Sequence, residues 1–369
     1  MFHKLITHLK HFDWIVFVPV ILLIGFGLTI IYSVSLGGGD ASLLNFKKQF
    51  IFAGIGLILL FLISFIDFRS FYNLNWGIYI LGVILLVLVL FFGQTVRGTT
   101  GWFDIFGFRL QPSEIIKIIM VVVLARYFAS ASYKINSIRH IIITGFFVLV
   151  PVGLIMWQPD FGSAMIIVAF WLVVLAIFGL NRKQIILISV STLLLFTISF
   201  FLLLKDYQKE RILTFLNPNI QSLDKGYNVA QAIIAIGSGG MFGKGLGFGS
   251  QSQLKFLPES QNDFIFAVIG EELGLLGVSL ILIFFAVIFF RLLYWVYHLD
   301  NNFGLYIILG AIILLFIEMF INIGMNVGIL PVVGISLPFV SYGGSSLITS
   351  MILIGIVESV IVYSRKISH

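Results

Sequence analysis

Runs of about 20 apolar residues recur from one end of this chain to the other, and each is long enough to cross the roughly 30 Å hydrocarbon core of a bilayer. In lipid every backbone N–H and C=O needs a partner within the protein, so only helices and closed barrels can span. Barrel strands alternate polar and apolar residues, and these runs do not. The expected fold class is therefore an all-α polytopic membrane protein. Composition agrees, with 60% hydrophobic and 10% charged residues against about 25% charged in soluble domains. No hydrophilic block is large enough for a separate soluble domain, so a single membrane domain over residues 1–369 is expected. The first apolar run is not followed by a small-residue cleavage site, and it reads as a retained helix.

Ten spans are expected, at about 14–34, 49–66, 77–93, 112–129, 139–156, 161–180, 184–205, 263–290, 303–329 and 343–363. An even number puts both termini on one side. With cytoplasmic termini, the inside segments hold eleven basic residues: Lys4, Lys10, Arg69, Arg126, Lys134, Arg139, Arg182, Lys183, Arg291, Arg365 and Lys366. The short outside loops hold four, Lys47, Lys48, Arg97 and Arg109. Basic residues concentrate on the cytoplasmic side of membrane proteins, so both ends are expected inside. The same rule accounts for the net charge of +6. No basic patch points to nucleic acid. The absence of cysteine excludes disulfides and thiolate metal sites.

Two outside segments stand out. Residues 94–111 carry Arg97, Trp102, Asp104 and Arg109. Residues 206–262 are too long for a plain connector, and the segment is expected to fold back onto the outer membrane surface. Its glycine-rich stretch with Lys244 fails as a phosphate loop, because Ser238 stands where the first Gly belongs and Gly245 where Ser or Thr is required. No internal repeat of the kind common in transporters is evident.

Ionisable residues inside a membrane mark candidate sites. Glu114 and Lys117 lie three apart near the start of the fourth span, on one helical face. They are either a self-compensating ion pair or a cation kept ready for a phosphate. Asp263 opens the eighth span, where it either caps the helix or acts chemically, and Glu271 and Glu272 follow. Glu318, Asn322 and Asn326 form one stripe at four-residue steps, a pattern that suits interhelical hydrogen bonds. The six histidines lie toward the cytoplasmic side and share no ligand spacing.

Several segments together resemble the SEDS family (shape, elongation, division and sporulation), along nearly the whole chain. They are Phe12-Asp13-Trp14, Leu110-Gln111-Pro112-Ser113-Glu114 with Lys117, and Gln158-Pro159-Asp160-Phe161-Gly162. Then come Arg211-Ile212-Leu213 with Asn217-Pro218, Gly226-Tyr227-Asn228, and Gly249-Ser250-Gln251-Ser252-Gln253-Leu254. The last are Leu257-Pro258-Glu259, Asp263-Phe264-Ile265-Phe266, and Leu330-Pro331 through Leu337-Pro338-Phe339-Val340-Ser341-Tyr342-Gly343-Gly344-Ser345-Ser346. The Gln-Ser-Gln-Leu segment and the ending favour the elongation branch over the division branch.

The resemblance implies ten helices and a peptidoglycan glycosyltransferase that polymerises lipid II on the outer face of the membrane. It also implies a class B penicillin-binding protein as partner. The family's essential Asp falls on Asp263, and its fourth-helix acid and base on Glu114 and Lys117. The chain departs from the family at Gly101, where an Arg is usual, and at Asn262, where a Thr is usual. An inverting displacement needs a general base for the acceptor hydroxyl, for which Asp263 is the candidate. It also needs cations for the departing pyrophosphate, with Lys117, Arg97, Arg211 and Lys244 as candidates. A divalent metal such as magnesium or manganese could assist, though no ligand cluster in the sequence fixes one. The rival readings are a flippase for the same lipid, using Glu114, Lys117, Glu318 and Asn322 as a polar path, and a non-catalytic scaffold.

Overall fold

The computed structural model describes residues 8–37, 40–96, 98–105, 107–130, 138–177 and 227–367, with residues 183, 184, 186, 188, 190, 194, 197, 201 and 209 between them. Three helices come first, α1 (Trp14–Leu36), α2 (Asp40–Ser64) and α3 (Arg69–Phe92). Three short strands follow, β1 (Gln94–Val96), β2 (Thr99–Ile105) and β3 (Phe108–Leu110). Next are α4 (Pro112–Ser130), α5 (Ile138–Trp157) and α6 (Phe161–Ile177). The last five helices are α7 (Tyr227–Gly239), α8 (Ser250–Gln253), α9 (Ile265–His298), α10 (Asn302–Asn326) and α11 (Gly344–Ile367).

Seven helices among the described residues are long and apolar enough to cross a membrane, and α6 is a shorter apolar helix. This is a multi-pass membrane protein. Nine of the ten expected spans coincide with described helices, and the seventh, 184–205, lies outside the residues described continuously. In the bundle α2 packs on α11, α3 and α10 pack on α4, and α9 lies against α1 and α10.

Three boundaries differ from expectation. Helix α2 begins at Asp40 rather than near 49, because its polar first turns continue the helix toward the cavity described below. Helix α3 begins at Arg69 rather than near 77, just after Asp67 Oδ1 accepts the Arg69 amide at 2.9 Å. The eighth span extends to His298 and is broken at Gly274, whose φ of 64° and ψ of −159° leave the helix.

The break is bracketed by the segment after α7. The amides of Lys244 and Gly245 donate to the carbonyls of Glu271 and Glu272 at 3.0 and 2.9 Å, and the amides of Leu275 and Leu276 donate to those of Gly240 and Met241. Side chains add to this bracket. Glu271 accepts the amides of Gln251 and Ser252 at 2.9 and 3.0 Å, and Glu272 accepts Ser33 Oγ of α1 at 2.6 Å. Both acids are fully buried.

Residues 94–110, unassigned in an all-α expectation, fold into an antiparallel sheet in the order β1-β2-β3. Gly98 and Gly107 turn the chain with φ of 83° and 81°, and Asp104 Oδ1 accepts the Gly107 amide at 2.8 Å. The amide of Thr100 donates to Gln158 O at 3.2 Å, which lays the sheet over the end of α5.

At the opposite end of the bundle, Asp13 caps α1 by accepting the Ile15 amide. Its Oδ2 also accepts Arg291 Nε (2.8 Å), Trp295 Nε1 (2.6 Å) and an Arg365 NH2 group (3.2 Å). One carboxylate thereby joins α1, α9 and α11.

The break at Gly274 yields a prediction. A Cβ there would lie 2.8 Å from Met241 O, on backbone dihedrals open essentially to glycine alone. Gly274→Ala should destabilise the protein by at least about 1–3 kcal/mol, read as a lower midpoint of thermal unfolding in detergent.

Candidate active site

Two adjoining cavities open at the end of the bundle that carries the sheet. The smaller, about 250 Å³, is lined by the N-terminal ends of α4 and α6, by Asp263, and by the non-helical segment Pro331–Ser336. The larger, about 630 Å³, is lined by Asn45 and Lys48 of α2, Asp104 and Arg109 of the sheet, and the segment Lys255–Asn262. Val96, Trp102, Asn262, Tyr342 and Gly343 border both.

Asp263 does not lie in the first turn of α9, as expected, because the helix begins at Ile265 with Phe264 at its N-cap. It closes a turn that includes Glu259 at a φ of 53°. Helix α10 holds that turn: Asn322 Nδ2 and Asn326 Nδ2 donate to Asp263 O at 3.1 and 2.9 Å. Asn326 Oδ1 also accepts the Ala267 amide at 3.1 Å, so a side chain from α10 serves the start of α9. Further along the turn, Asn262 Nδ2 donates to Glu259 Oε2 at 2.8 Å, Ser341 Oγ donates to Asn262 O at 2.7 Å, and the Tyr342 amide donates to Gln261 O at 2.8 Å. Gln261 Oε1 accepts Asn45 Nδ2 of α2 at 3.0 Å. The Asp263 Oδ2 atom lies 3.6 Å from the position a Cβ on Gly334 would take, which sets the carboxylate beside the Pro331–Ser336 segment.

That segment lies close over α6 because Gly162 has no side chain; a Cβ there would come within 2.6 Å of Val333 O. Asp160 ties α6 to α4. Its Oδ2 accepts Ser163 Oγ (2.7 Å), Gln111 Nε2 (3.0 Å) and Ser113 Oγ (3.1 Å), and its Oδ1 accepts the Ser163 amide. The Gln-Pro-Asp-Phe-Gly and Leu-Gln-Pro-Ser-Glu segments therefore form one hydrogen-bonded corner of the smaller cavity.

Lys117 lies between two carboxylates, Glu114 at 2.8 Å and Glu318 of α10. It is 4% exposed and the sole cation lining the smaller cavity among the described residues. Its charge is countered twice in this structure, which is the ion-pair alternative extended by a second acid from α10. The polar stripe of α10 thus has two tasks: Glu318 engages α4, and Asn322 and Asn326 hold the Asp263 turn.

Lys244 is not brought to either cavity. It bonds Glu271 Oε1 and Ser250 Oγ, both at 3.1 Å, within the bracket on α9. Arg97 and Arg211 lie outside the described residues. The cations that line the larger cavity are instead Lys48, Arg109 and Lys255, none of them among the candidates for the pyrophosphate named from the sequence. The signal available for the first two was their place on short outside loops that carry few other charges. Burial raises the Tyr342 phenol above its usual range, against the lowering effect of Arg109, so a neutral hydroxyl stands between the two cavities. Beside Gly101, Gln158 Oε1 is buried without a hydrogen-bond partner among the described residues. It lies 3.4 Å from the Cβ position of Gly101.

The family model for FtsW, RodA and SpoVE, described as "Cell cycle protein", matches residues 13–366. The chain belongs to this family. It is 37% identical over 358 residues to the peptidoglycan glycosyltransferase MrdB of Escherichia coli, covering 97% of this chain and 95% of that one. It is 34% identical over 362 residues to the stage V sporulation protein E of Bacillus subtilis, covering 96% and 98%. Among solved structures, a chain described under "Structural coordination of polymerization and crosslinking by a peptidoglycan synthase complex" superposes with a TM-score of 0.79. It is 27% identical, with 96% of this chain and 98% of that chain covered. The rod shape determining protein RodA of Thermus thermophilus gives a TM-score of 0.69 at 25% identity, covering 95% and 96%.

The Lys117 arrangement is testable. Lys117→Met leaves the buried Glu318 and the partly buried Glu114 without their cation, so stability should fall by about 3–5 kcal/mol. Adding Glu318→Gln should restore much of that loss, as read by thermal unfolding of the purified single and double variants.

Proposed function

We propose that this chain is a peptidoglycan glycosyltransferase of the elongation branch, polymerising lipid II on the outer face of the cytoplasmic membrane. The observation that carries this reading is Asp263, fixed by two α10 asparagines at the wall of a cavity that adjoins a larger one lined by cations. The relatives named peptidoglycan glycosyltransferase support it.

The α-linked sugar pyrophosphate becomes a β-1,4 link by one inverting displacement. The acceptor 4-hydroxyl gives its proton to the Asp263 carboxylate as its oxygen attacks the anomeric carbon of the donor, and the bond to the lipid pyrophosphate breaks. A general base must lie within hydrogen-bond reach of that hydroxyl. The pyrophosphate gathers negative charge as it leaves and calls for preorganised cations. Lys48, Arg109 and Lys255 of the larger cavity are assigned to it, with Arg97 and Arg211 as further candidates from the sequence. Lys117 and Glu114 border the substrate in the smaller cavity, and Lys117 acts chiefly to neutralise Glu114 and Glu318. Among the described residues no three His, Asp or Glu side chains gather as metal ligands, and no step is routed through a metal. The engagement of Glu114, Lys117, Glu318 and Asn322 with one another and with the Asp263 turn weighs against their use as a transport path.

The neighbour described by its coordination of polymerization and crosslinking supports a cross-linking partner, a class B penicillin-binding protein. The distribution of basic residues supports cytoplasmic termini. A reporter fused after His369 should behave as cytoplasmic and one inserted near Asp224 as external; the reverse pattern would overturn the orientation.

Asp263→Asn keeps the side chain's size and leaves the backbone carbonyl that Asn322 and Asn326 hold. Stability should change little, while glycan formation from purified lipid II falls by roughly 10²–10⁴-fold, the range for a lost general base. Lipid II binding should persist. Activity within a few fold of the parent would move the base elsewhere, with Glu259 and Glu114 next in line.

A further inference from the structure

Residues 240–248 form an apolar turn between α7 and α8. Met241, Phe242, Leu246 and Phe248 are exposed, Phe242 by 79% and Phe248 by 76%. The one charged residue of this stretch, Lys244, is directed to the fully buried Glu271. Leu275 and Leu276 of α9, whose amides bond the turn, are exposed as well. The exposed apolar surface of the turn therefore continues that of a spanning helix.

Helix geometry sets the depth of the turn. The Gly245 amide donates to Glu272 O, and the Glu272 side chain accepts Ser33 Oγ of α1. Ser33 lies nineteen residues beyond Trp14, about 28 Å along α1 at a rise of about 1.5 Å per residue. Trp14 begins the span, indole side chains favour the membrane–water interface, and the hydrocarbon core is about 30 Å thick. The turn therefore stands at the far boundary of the hydrocarbon, on the cavity side, where apolar side chains meet acyl chains rather than bulk water.

We propose that residues 241–248 insert into the cavity-side leaflet at the boundary of headgroups and acyl chains, with Phe242 and Phe248 in phospholipid acyl chains. The turn is then an interfacial anchor. Its continuation, Gly249–Gln253, is tied to Glu271 and Glu272, and it supplies Ser252 and Gln253 to the larger cavity. Anchoring the turn thus holds one wall of that cavity at the height of the lipid headgroups. The inference requires only that the bundle spans a bilayer, whichever reaction the cavity performs.

The chain has no cysteine, so Phe242→Cys and Phe248→Cys each introduce a single thiol at an exposed position. The full chain carrying a nitroxide at either site is reconstituted into vesicles of phosphatidylethanolamine and phosphatidylglycerol. Spin relaxation then compares collisions with oxygen, which concentrates in acyl chains, and with a water-soluble nickel chelate. Labels at Leu280→Cys on the exposed face of α9 and at Asn302→Cys at the opposite end serve as lipid and water references. The ratio of oxygen to nickel collisions at both test sites should approach the Leu280 value and exceed the Asn302 value severalfold. A ratio equal to that at Asn302 overturns the proposal in favour of a water-facing loop. Low collision rates with both reagents overturn it in favour of a surface covered by protein.

Discussion

A backbone group left bare in a membrane costs on the order of several kcal/mol, yet this chain leaves the helical ladder repeatedly around its cavities. At several of these departures side chains or backbone from a neighbouring element take the freed groups. Asn322 and Asn326 take the Asp263 carbonyl, and Asn322 also takes that of Ile335 at 2.7 Å. Ser341 Oγ accepts the Leu337 amide at 2.8 Å, and Gln49 of α2 bonds both Ser341 O and the Gly343 amide at 3.1 Å. The break at Gly274 is matched by four backbone bonds to the segment after α7. Irregular backbone at membrane depth is tolerated where it is buried in protein or lines a cavity, and the Asp263 turn and the stretch from Ile335 to Gly343 do one or the other.

This constraint explains which parts of the fold were legible. Spans read well because an apolar run needs only its own helix to satisfy its backbone. Helix α2 was misjudged at its start because Asn45, Lys48 and Gln49 resemble loop residues. In the structure they extend the helix toward the cavities, where Asn45 bonds Gln261 and Lys48 bonds the Gly107 carbonyl. The small sheet was missed because segments as short as Gln94–Val96 carry little periodic signal among charged residues and glycines. Lys117 met the same limit. Glu114 is visible as its partner at one helical step, but Glu318 lies 201 residues away, and no local pattern marks that pairing. The α10 stripe was legible as interhelical hydrogen bonding, though not the particular backbone groups it serves.

The two ends of the bundle use their charges differently. At the far end, Asp13 gathers Arg291 and Arg365, and Arg365 lies over the Trp295 ring at 4.6 Å. Arg365 also donates to His11 O at 2.7 Å, and Glu358, wholly buried, accepts the Asp13 amide at 3.0 Å. The Phe12-Asp13-Trp14 segment, which helped carry the family resemblance, is thus a clamp that fixes α1 against α9 and α11 at the end away from the cavities. Its residues need no part in chemistry to be required by the fold.

At the cavity end both cavities carry charges of both signs, but their cations are held differently. Lys117 is consumed by two acids and joins α4 to α10, whereas Lys48, Arg109 and Lys255 line the larger space. For the displacement proposed above, a base set apart from the leaving-group cations keeps its strength, because an adjacent cation stabilises a carboxylate and weakens it as a base. Asp263 lines the smaller cavity, and the three cations line the larger one across the wall formed by Trp102, Asn262 and Tyr342. The Ala267 amide is served by Asn326, so the start of α9 does not rely on the Asp263 carboxylate there. The same asparagine, through its Nδ2, holds the Asp263 carbonyl, so one side chain of a neighbouring helix serves both the start of α9 and the turn before it.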